Sequence, residues 1–274
     1  DGFTGKYLRN YLSKNKFECY SLRSNIFDKE SIYKEICNVE PNFVVHLAAI
    51  SFAAEKNSEL IYKTNVIGTE NLLSTIAKSK LHIKKILIAS SAAIYGNQKK
   101  EAYNEETIPE PINHYGISKL AMEYVCNNYK DELPIVITRP FNYTGIGQDI
   151  NFLIPKIIQS FKEKYKTIEL GNIDVYREFN DIRDVCEVYR LLLISEEHSI
   201  DYLNICSGRL ISISDILLAM ETISNTKIEV KVNKNFVRSN EIKRLCGDPK
   251  KLKKYLNFTP KYELFDTLQW MFKG

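Results

Sequence analysis

Apolar residues form short continuous runs along the chain, and each run is followed by small or polar residues. The clearest runs cover residues 43–46, 86–89 and 135–139, where valine, isoleucine and leucine dominate. Uninterrupted runs of this length are typical of strands that are buried on both faces of a parallel sheet. We therefore predict three buried parallel strands at these positions.

The longer segments between these runs carry apolar residues at helical spacing. Helices are predicted at residues 6–14, 29–38, 51–78 and 115–130, and one further strand at residues 17–22. Strands that alternate with helices in this order build a doubly wound parallel α/β sheet of the Rossmann type. That is the fold class expected for the first half of the chain.

After residue 145 the alternation becomes less regular. The predicted elements are helices at residues 152–162, 181–194 and 212–221, and strands at residues 167–170, 175–179 and 202–206. We expect residues 1–145 to form a dinucleotide-binding domain, with segments near 181–207 returning to its sheet. Residues 146–274 are expected to form a smaller C-terminal α/β lobe for the substrate.

Composition and charge exclude several classes of protein. The chain has 274 residues, of which 44% are hydrophobic and 26% charged, and its formal net charge is +4. These values are ordinary for a soluble globular protein and do not indicate nucleic-acid binding. The basic cluster at residues 250–254 reads more simply as a solvated helix face than as a polyanion site. Since no apolar segment approaches the ~20 residues that cross a membrane, no membrane partner is expected.

The cysteines and histidines do not indicate a metal site. The six cysteines include no Cys-x-x-Cys pair, which argues against zinc and against a disulfide framework. The four histidines share no ligand spacing, so no metal is expected. A reducing cytoplasm is the expected location of such a chain.

Candidate chemistry begins where the run at residues 86–89 ends. The run delivers Ser91 to the carboxyl edge of the sheet, where ligands bind in open α/β folds. Tyr115 and Lys119 are four residues apart, so both side chains lie on one face of the predicted helix. A nearby cation lowers the pKa of a phenol, which suits proton transfer to or from a carbinol. Taken alone, such a pair is more often an exposed lysine beside a half-buried ring than a catalytic pair.

The order of these motifs is more specific than any one of them. A strand ending in residues 46–49 precedes the strand ending at Ser91, and the Tyr115 helix follows. With this order, the chain resembles the extended short-chain dehydrogenase/reductase family, also called the NAD-dependent epimerase/dehydratase family, over essentially its whole length. Residues 139–148 look most like the reductases of nucleotide-linked 4-keto-6-deoxyhexoses, a group that includes the GDP-6-deoxy-D-mannose reductases.

The resemblance also implies a role for the glycines at the start of the sequence. Gly2 and Gly5 match the second and third glycines of the family's G-x-x-G-x-x-G turn, which brings the backbone close to a pyrophosphate at a helix start. The strand that precedes this turn in a Rossmann unit is not in the sequence. We therefore expect the chain to lack about eight residues of its natural start.

Arg23 bears on the choice of cofactor. An NAD-specific site has an acid at the end of its second strand, whereas an arginine can hold the 2′-phosphate of NADP. Arg23 therefore favours NADP(H) over NAD(H), although a surface arginine in a loop remains an alternative. Asn25 and Ile26 follow at the position where the family has an Asp-Leu/Ile pair beside the adenine.

The resemblance implies a full set of site residues. The catalytic residues would be Ser91, Tyr115 and Lys119. Those expected at the cofactor are Gly2, Phe3, Thr4, Gly5, Arg23, Asn25, Ile26, Leu47, Ala48, Ala49, Asn65, Tyr115, Lys119 and Pro140. Those expected at the substrate are Ser91, Ala92, Asn142, Gln148, Lys156, Arg177, Arg238 and Glu241. For Asn65, a hydrogen bond to neighbouring backbone is an equal alternative.

The implied reaction is NADP(H)-dependent reduction of a nucleoside-diphosphate-4-keto-6-deoxyhexose at carbon 4. Family dehydratases have a glutamate two residues after the active-site serine or threonine, where this chain has Ala93, so dehydration is not expected. A nucleotide-sugar 4-epimerase and a non-catalytic dinucleotide-sensing protein of the same fold remain alternatives. A homodimer is expected because family members commonly dimerise through helices that correspond to residues 51–78 and 115–130.

Overall fold

A computed structural model describes residues 2–50, 57–197, 199–233, 236 and 242–274. Its main sheet has four parallel strands in the order β1-β2-β3-β8. The strands of this sheet are β1 (Phe43–His46), β2 (Lys85–Ala89), β3 (Ile135–Pro140) and β8 (Tyr202–Ile205). The parallel α/β fold predicted from the apolar runs is therefore confirmed.

Seven shorter strands lie outside the main sheet. They are β4 (Tyr143–Thr144), β5 (Thr167–Leu170), β6 (Tyr176–Arg177), β7 (Asn180–Asp181), β9 (Ile211–Ser212), β10 (Glu229–Val232) and β11 (Arg244–Leu245), among the described residues. Strand β5 pairs with β10, β4 pairs with β7, and β6 lies between β11 and β9.

Helices cover both faces of the main sheet and pack among the shorter strands of the later part of the chain. The described α-helices are α1 (Phe3–Lys14), α2 (Lys29–Val39), α3 (Ser58–Tyr62), α4 (Gly68–Ser79), α5 (His114–Asn127), α6 (Leu153–Lys162), α7 (Ile182–Ile194), α8 (Ile213–Ser224), α9 (Lys250–Leu256) and α10 (Leu264–Lys273). A wider π-helical turn, Lys63–Ile67, joins α3 to α4.

Two cores form because successive strand residues point to opposite faces of the sheet. Leu87 and Val136 pack on the side covered by α1 and α7. Ile86, Ile88 and Ile137 pack on the other side, against α2, α4 and α5. Burying each side chain of this size stabilises the fold by about 1.5–3 kcal/mol. Apolar residues on both faces of the strands thus fix the sheet between two helical layers.

A third core belongs to the C-terminal elements. Ile157, Ile216 and Leu268, from α6, α8 and α10, pack together with residues of β5 and β10. Helix α9 instead returns to the main sheet, where Leu252 packs in the core beside α7 and β8. The C-terminal elements therefore contribute to two different cores.

The prediction of a strand at residues 17–22 is wrong. This segment forms no strand within the described residues, although the Phe17 and Phe43 rings lie 6.2 Å apart. Strand β1 pairs on one edge with β2, and a cavity lined by Phe17, Cys19 and Val45 separates its other edge from the segment. Because a strand is defined by hydrogen bonds to a neighbour, alternating side chains alone do not make one here.

Two other predicted elements differ from the structure. Residues 58–78 of the predicted long helix form α3, the π-helical turn and most of α4, whereas residues 51–56 lie outside the described residues. The predicted strand at residues 175–179 is shortened to β6, which pairs with β11 and β9. Strand β7 begins only at Asn180, beyond the predicted strand, and pairs with β4. The remaining predicted helices and strands are present, with ends that differ by a few residues.

Among the described residues, none of the helices has the length and apolar character required to cross a bilayer.

Candidate active site

A cavity of about 1980 Å³ runs along the edge of β1 that faces residues 17–22 and opens at the carboxyl ends of β1, β2 and β3. At this end its walls include the turn before α1, the start of α5 and, from the later part of the chain, Asn172, Val175 and Phe179. The carboxyl edge of an open parallel sheet is where ligands bind in this architecture. The cavity therefore lies where the chemistry was predicted.

Ser91 is held at the end of β2 by a short helical turn. Its Oγ accepts a hydrogen bond from the backbone N–H of Ala93 at 3.1 Å and so caps the 3₁₀ turn Ala92–Tyr95. Because the oxygen accepts this bond, the hydroxyl proton remains available for another partner. The cap thus fixes the position of Ser91 at the cavity wall.

Helix α5 begins beside this turn. The Asn113 side chain accepts a hydrogen bond from the N–H of Gly116 at 2.8 Å, which starts the helix and places Tyr115 in its first turn. Gly116 packs so closely that an added Cβ would lie 2.7 Å from the carbonyl oxygen of Ala93. A glycine here lets the helix approach the Ser91 turn.

Tyr115 keeps its proton at neutral pH. Burial raises the pKa of its phenol to about 12; the Ser91 hydroxyl lowers the pKa and Tyr143 raises it. The prediction that Lys119 lowers this pKa is wrong in this structure, because desolvation of the phenolate dominates. The Lys119 ammonium instead donates a hydrogen bond to the carbonyl oxygen of Ala89 at 2.7 Å.

Lys119 is almost completely buried, with 2% of its surface exposed. Burial lowers its pKa to about 8, while Cys126 and Glu123 raise it. Lys119 is therefore charged in most molecules at pH 7. Burial also lowers the pKa of the neighbouring His46 to about 3, with a further lowering by the Lys119 charge, so His46 is neutral.

Asn65 connects the chain after β1 to α5. Its side chain accepts the N–H of Ile50 at 2.9 Å, and donates to the carbonyl of Ile50 at 3.3 Å and to Ser118 Oγ at 3.0 Å. Asn65 has no exposed surface and does not line the cavity, because its side chain is directed to these protein groups. It positions α5, and the structure does not place it at the predicted cofactor.

A buried ion pair holds α5 against the main sheet. Arg139, in β3, makes two hydrogen bonds to the Glu123 carboxylate, at 2.7 and 3.0 Å. Its remaining nitrogen donates to the Tyr95 hydroxyl and to the carbonyl of Glu105, each at 3.1 Å. Since Glu123 lies one helical turn after Lys119, this pair fixes the helix that carries Tyr115 and Lys119.

Most residues predicted at the cofactor line the cavity. These are Gly2, Phe3, Thr4, Gly5, Ile26, Leu47, Ala48, Ala49, Tyr115, Lys119 and Pro140. Arg23 and Asn25 are exposed and lie outside the lining, because Asn25 Oδ1 accepts the N–H of Phe27 and the Arg23 side chain extends into solvent. The cavity thus brings together most of the residues predicted at the cofactor; the exceptions are Arg23, Asn25 and Asn65.

The predicted substrate residues divide in the same way. Ser91, Asn142, Gln148 and Arg177 line the cavity. Ala92 is buried in a core cluster instead, and Lys156 donates to the carbonyl of Glu169 at 2.7 Å with its ammonium 4.5 Å from the Phe236 ring. Arg238 and Glu241 lie outside the described residues.

Two residues at the cavity were missed by the sequence analysis. Ser90 is 4% exposed, and its hydroxyl is a buried group without a hydrogen-bond partner in the described part of the chain. The signal was its position in the Ser-Ser pair that ends β2. Tyr143 bonds to Thr4 Oγ1 at 2.8 Å and stacks on Phe3, which links the α1 turn to the chain after β3.

These residues fit a bound dinucleotide. At Gly2 and Gly5, an added Cβ would meet no described protein atom within 4 Å, so open space borders the start of α1. The first N–H groups of a helix suit a pyrophosphate. The unpaired Ser90 hydroxyl would cost about 1–3 kcal/mol if it stayed without a partner, which a ligand in the cavity can supply.

The chain matches known proteins over nearly its full length. Residues 5–271 match the family model described as GDP-mannose 4,6 dehydratase. A GDP-6-deoxy-D-talose 4-dehydrogenase from Aggregatibacter actinomycetemcomitans is 39% identical, over 92% of this chain and 87% of that protein. A GDP-6-deoxy-D-mannose reductase from Pseudomonas aeruginosa is 28% identical, over 98% of this chain and 92% of that protein.

Solved structures have the same fold. RMD from Pseudomonas aeruginosa, complexed with NADPH, superimposes with a TM-score of 0.90 at 26% identity and covers 99% of this chain and 95% of that one. A UDP-glucuronic acid 4-epimerase from Bacillus cereus, in complex with UDP-glucuronic acid and NAD, has a TM-score of 0.85 at 24% identity over 100% of this chain and 87% of that one. The same fold therefore holds NADPH in one of these structures and NAD in the other.

Proposed function

We propose that this chain, which belongs to the GDP-mannose 4,6 dehydratase family of NAD(P)-dependent extended short-chain dehydrogenases/reductases, reduces a nucleoside-diphosphate-4-keto-6-deoxyhexose at carbon 4. The observation that carries the proposal is the pairing of one protonated phenol, Tyr115, with Ser91 at the cavity. The names of the two relatives favour a GDP-linked sugar as the substrate.

The protein's own groups supply the proton and hold the reacting oxygen. The nicotinamide cofactor supplies the hydride when it is bound. Tyr115, whose pKa is raised to about 12, carries a proton at neutral pH and donates it to the oxygen at carbon 4. The Ser91 hydroxyl donates a hydrogen bond to the same oxygen and stabilises its developing negative charge. Buried Lys119 adds a positive charge on the same helix face.

The residues after Ser91 argue against dehydration. Removal of water across carbons 5 and 6 needs a further acid or base beside the Tyr115 phenol. Ala93 lines the cavity at the position where family dehydratases have a glutamate, and its methyl group cannot carry a proton. Asn142 and Gln148 also line the cavity, and we assign them to orienting the sugar.

A substrate panel tests the proposed reaction. The protein is mixed with NADPH and with GDP-, UDP-, dTDP- or CDP-linked 4-keto-6-deoxyhexoses or, in separate reactions, with the corresponding 4-hydroxy sugars, and cofactor oxidation and product stereochemistry are recorded. We expect cofactor oxidation and a 4-hydroxy product whose other stereocentres are unchanged. Inversion at carbon 4 of a 4-hydroxy sugar without net oxidation would identify a 4-epimerase. Bound NADP(H) with no turnover of any nucleotide sugar would identify a dinucleotide-sensing protein.

We assign the preference for NADP(H) to Arg23, whose guanidinium can pair with a 2′-phosphate. Arg23→Ala should weaken NADPH binding by about 10–100-fold, the effect of losing a charged hydrogen bond, and change NADH binding by less than about 2-fold. Titration of both cofactors measures this difference, with Lys14→Ala as a control that removes an exposed cation elsewhere. Equal losses for both cofactors would remove Arg23 from this role.

We assign a homodimer interface to the exposed face of α3, the π-helical turn and α5. Leu60, Ile67, Ile117 and Tyr124 are between 40% and 66% exposed on these packed elements. Exposed apolar side chains on elements that pack together favour an interaction surface. The six free cysteines fit a reducing compartment, and we place the dimer in the cytoplasm.

Charge placed on this face should separate the dimer. The double substitution Ile67→Glu and Tyr124→Glu is expected to give the mass of one chain in light scattering, because two carboxylates would be desolvated in each half of the interface. Leu218→Glu, at a residue 64% exposed on α8, is the control and should keep the mass of a dimer. A parent protein that stays monomeric at all concentrations would contradict the assignment.

A further inference from the structure

The loop that follows residues 17–22 is held by hydrogen bonds to a carboxylate of the protein itself. The Glu35 carboxylate, from α2, accepts hydrogen bonds from the backbone N–H of Arg23 at 2.8 Å, from the N–H of Ser24 at 2.9 Å and from the Ser24 hydroxyl at 2.5 Å. Burial tends to raise the pKa of Glu35, but the bonds from Ser24 and Arg23 and the Arg23 charge outweigh it and lower the pKa. Glu35 is therefore ionised at neutral pH.

The donors around Glu35 form an anion receptor. Consecutive backbone N–H groups with a hydroxyl beside them make a concave site for phosphate or carboxylate groups, and a guanidinium strengthens it. In this chain a carboxylate of the protein itself fills the receptor. Ser24 and Glu35 line the cavity, whereas the Arg23 side chain lies outside the lining.

We propose that Glu35 opposes Arg23 in the choice of cofactor, by occupying the donors that a 2′-phosphate would use and by repelling its charge. This inference rests on the proposed function, since it assigns the adenosine end of the cofactor to the Arg23–Ser24 loop. A ribose 2′-hydroxyl meets no such repulsion. It can donate to Glu35, because a carboxylate has about four acceptor sites and three are used here.

The balance of these two residues sets how strongly the chain prefers NADP(H). Arg23 attracts the 2′-phosphate and Glu35 repels it, so Glu35 reduces the preference for NADP(H) that Arg23 provides. Removing the Glu35 charge should shift selectivity toward the phosphorylated cofactor, because Arg23 then acts without opposition.

Two adenosine nucleotides test the inference without catalysis. Binding of 2′,5′-ADP and of 5′-ADP is measured by calorimetry for the parent, for Glu35→Gln and for Glu30→Gln. The Glu35→Gln protein should bind 2′,5′-ADP about tenfold more tightly, as expected when one opposing charge is removed near a protein surface, and bind 5′-ADP equally or more weakly. Glu30, exposed on the same helix, is the matched control and should not change either affinity.

The outcomes distinguish failure of the Glu35 inference from failure of the proposed dinucleotide site. If Glu35→Gln binds 2′,5′-ADP no more tightly than the parent, the carboxylate only supports the loop and the inference is overturned. Glu35→Ala removes the carboxylate together with its bonds and should change the ratio of affinities in the same direction, which covers a Gln variant that fails to fold. If the parent binds neither nucleotide, the proposed dinucleotide site itself is wrong.

Discussion

Replacing Tyr115 by phenylalanine is expected to lower turnover by about 10²–10⁴-fold, the usual effect of losing a general acid. The substitution removes only the hydroxyl, and the ring stays at the cavity wall beside Ser91. Both kcat and kcat/KM should fall together, because the proton is transferred in the transition state. NADPH binding should fall much less than turnover, because Tyr115 is one of eleven cavity-lining residues predicted at the cofactor and only its hydroxyl is removed.

A second tyrosine of the same helix provides the control. Tyr124 is 66% exposed on α5, so Tyr124→Phe removes a phenol without touching the cavity. Its turnover should equal that of the parent, and both variants should have melting temperatures close to the parent value. Parent-like turnover in Tyr115→Phe would remove Tyr115 from the mechanism.

Replacing Arg139 by methionine is expected to lower the free energy of unfolding by about 3–5 kcal/mol. Arg139 and Glu123 are 4% and 2% exposed, so the substitution leaves a buried carboxylate without its two strongest hydrogen bonds. Denaturation by urea measures the loss. Because Glu123 belongs to α5, activity should fall as well, through displacement of Tyr115 and Lys119.

A matched ion pair separates the effect of burial from that of geometry. Arg190 and Glu187 also form two hydrogen bonds, at 2.7 and 2.9 Å, but their side chains are 20% and 15% exposed. Arg190→Met should therefore cost about 1 kcal/mol or less. Adding Glu123→Leu to Arg139→Met should restore much of the stability, because no buried charge is then left unpaired. Equal losses for Arg139→Met and Arg190→Met would contradict this account.

The sequence predicted the main sheet well because its strands are buried on both faces. Strand β1 agrees at both ends with the predicted residues 43–46, and β2 and β3 differ by one residue at one end. Strand β10 gave no comparable signal, since within the described part of the chain it pairs only with β5, and its residues are mostly exposed. Continuous apolar patterns therefore reveal central strands and miss short strands at an edge.

The candidate site was predicted in its residues and less well in its electrostatics. Ser91, Tyr115 and Lys119 all line one cavity, as their order in the chain indicated. The predicted direction of the shift in the Tyr115 pKa was wrong, because the spacing of Tyr115 and Lys119 carries no information about how deeply each group is buried. Burial depends on contacts between distant parts of the chain, and it decided the result here.

Long-range contacts explain the other differences. Asn65 bonds to Ser118, a residue 53 positions away, and no local pattern predicts that bond. Glu35 gave no signal in the sequence either, since its bonds to Arg23 and Ser24 depend on how α2 packs against the loop. Both residues hold backbone segments that border the cavity, and their roles became visible only with the fold.

Isotope transfer tests the central claim most directly. NADPH carrying deuterium at the transferable position of its nicotinamide is incubated with the protein and a GDP-linked 4-keto-6-deoxyhexose, and the product is analysed by mass spectrometry and NMR. The account predicts deuterium at carbon 4, one cofactor oxidised for each sugar reduced, and no exchange at carbons 3 and 5. A product that lacks deuterium at carbon 4, or conversion of the sugar with no net change in cofactor, would contradict it.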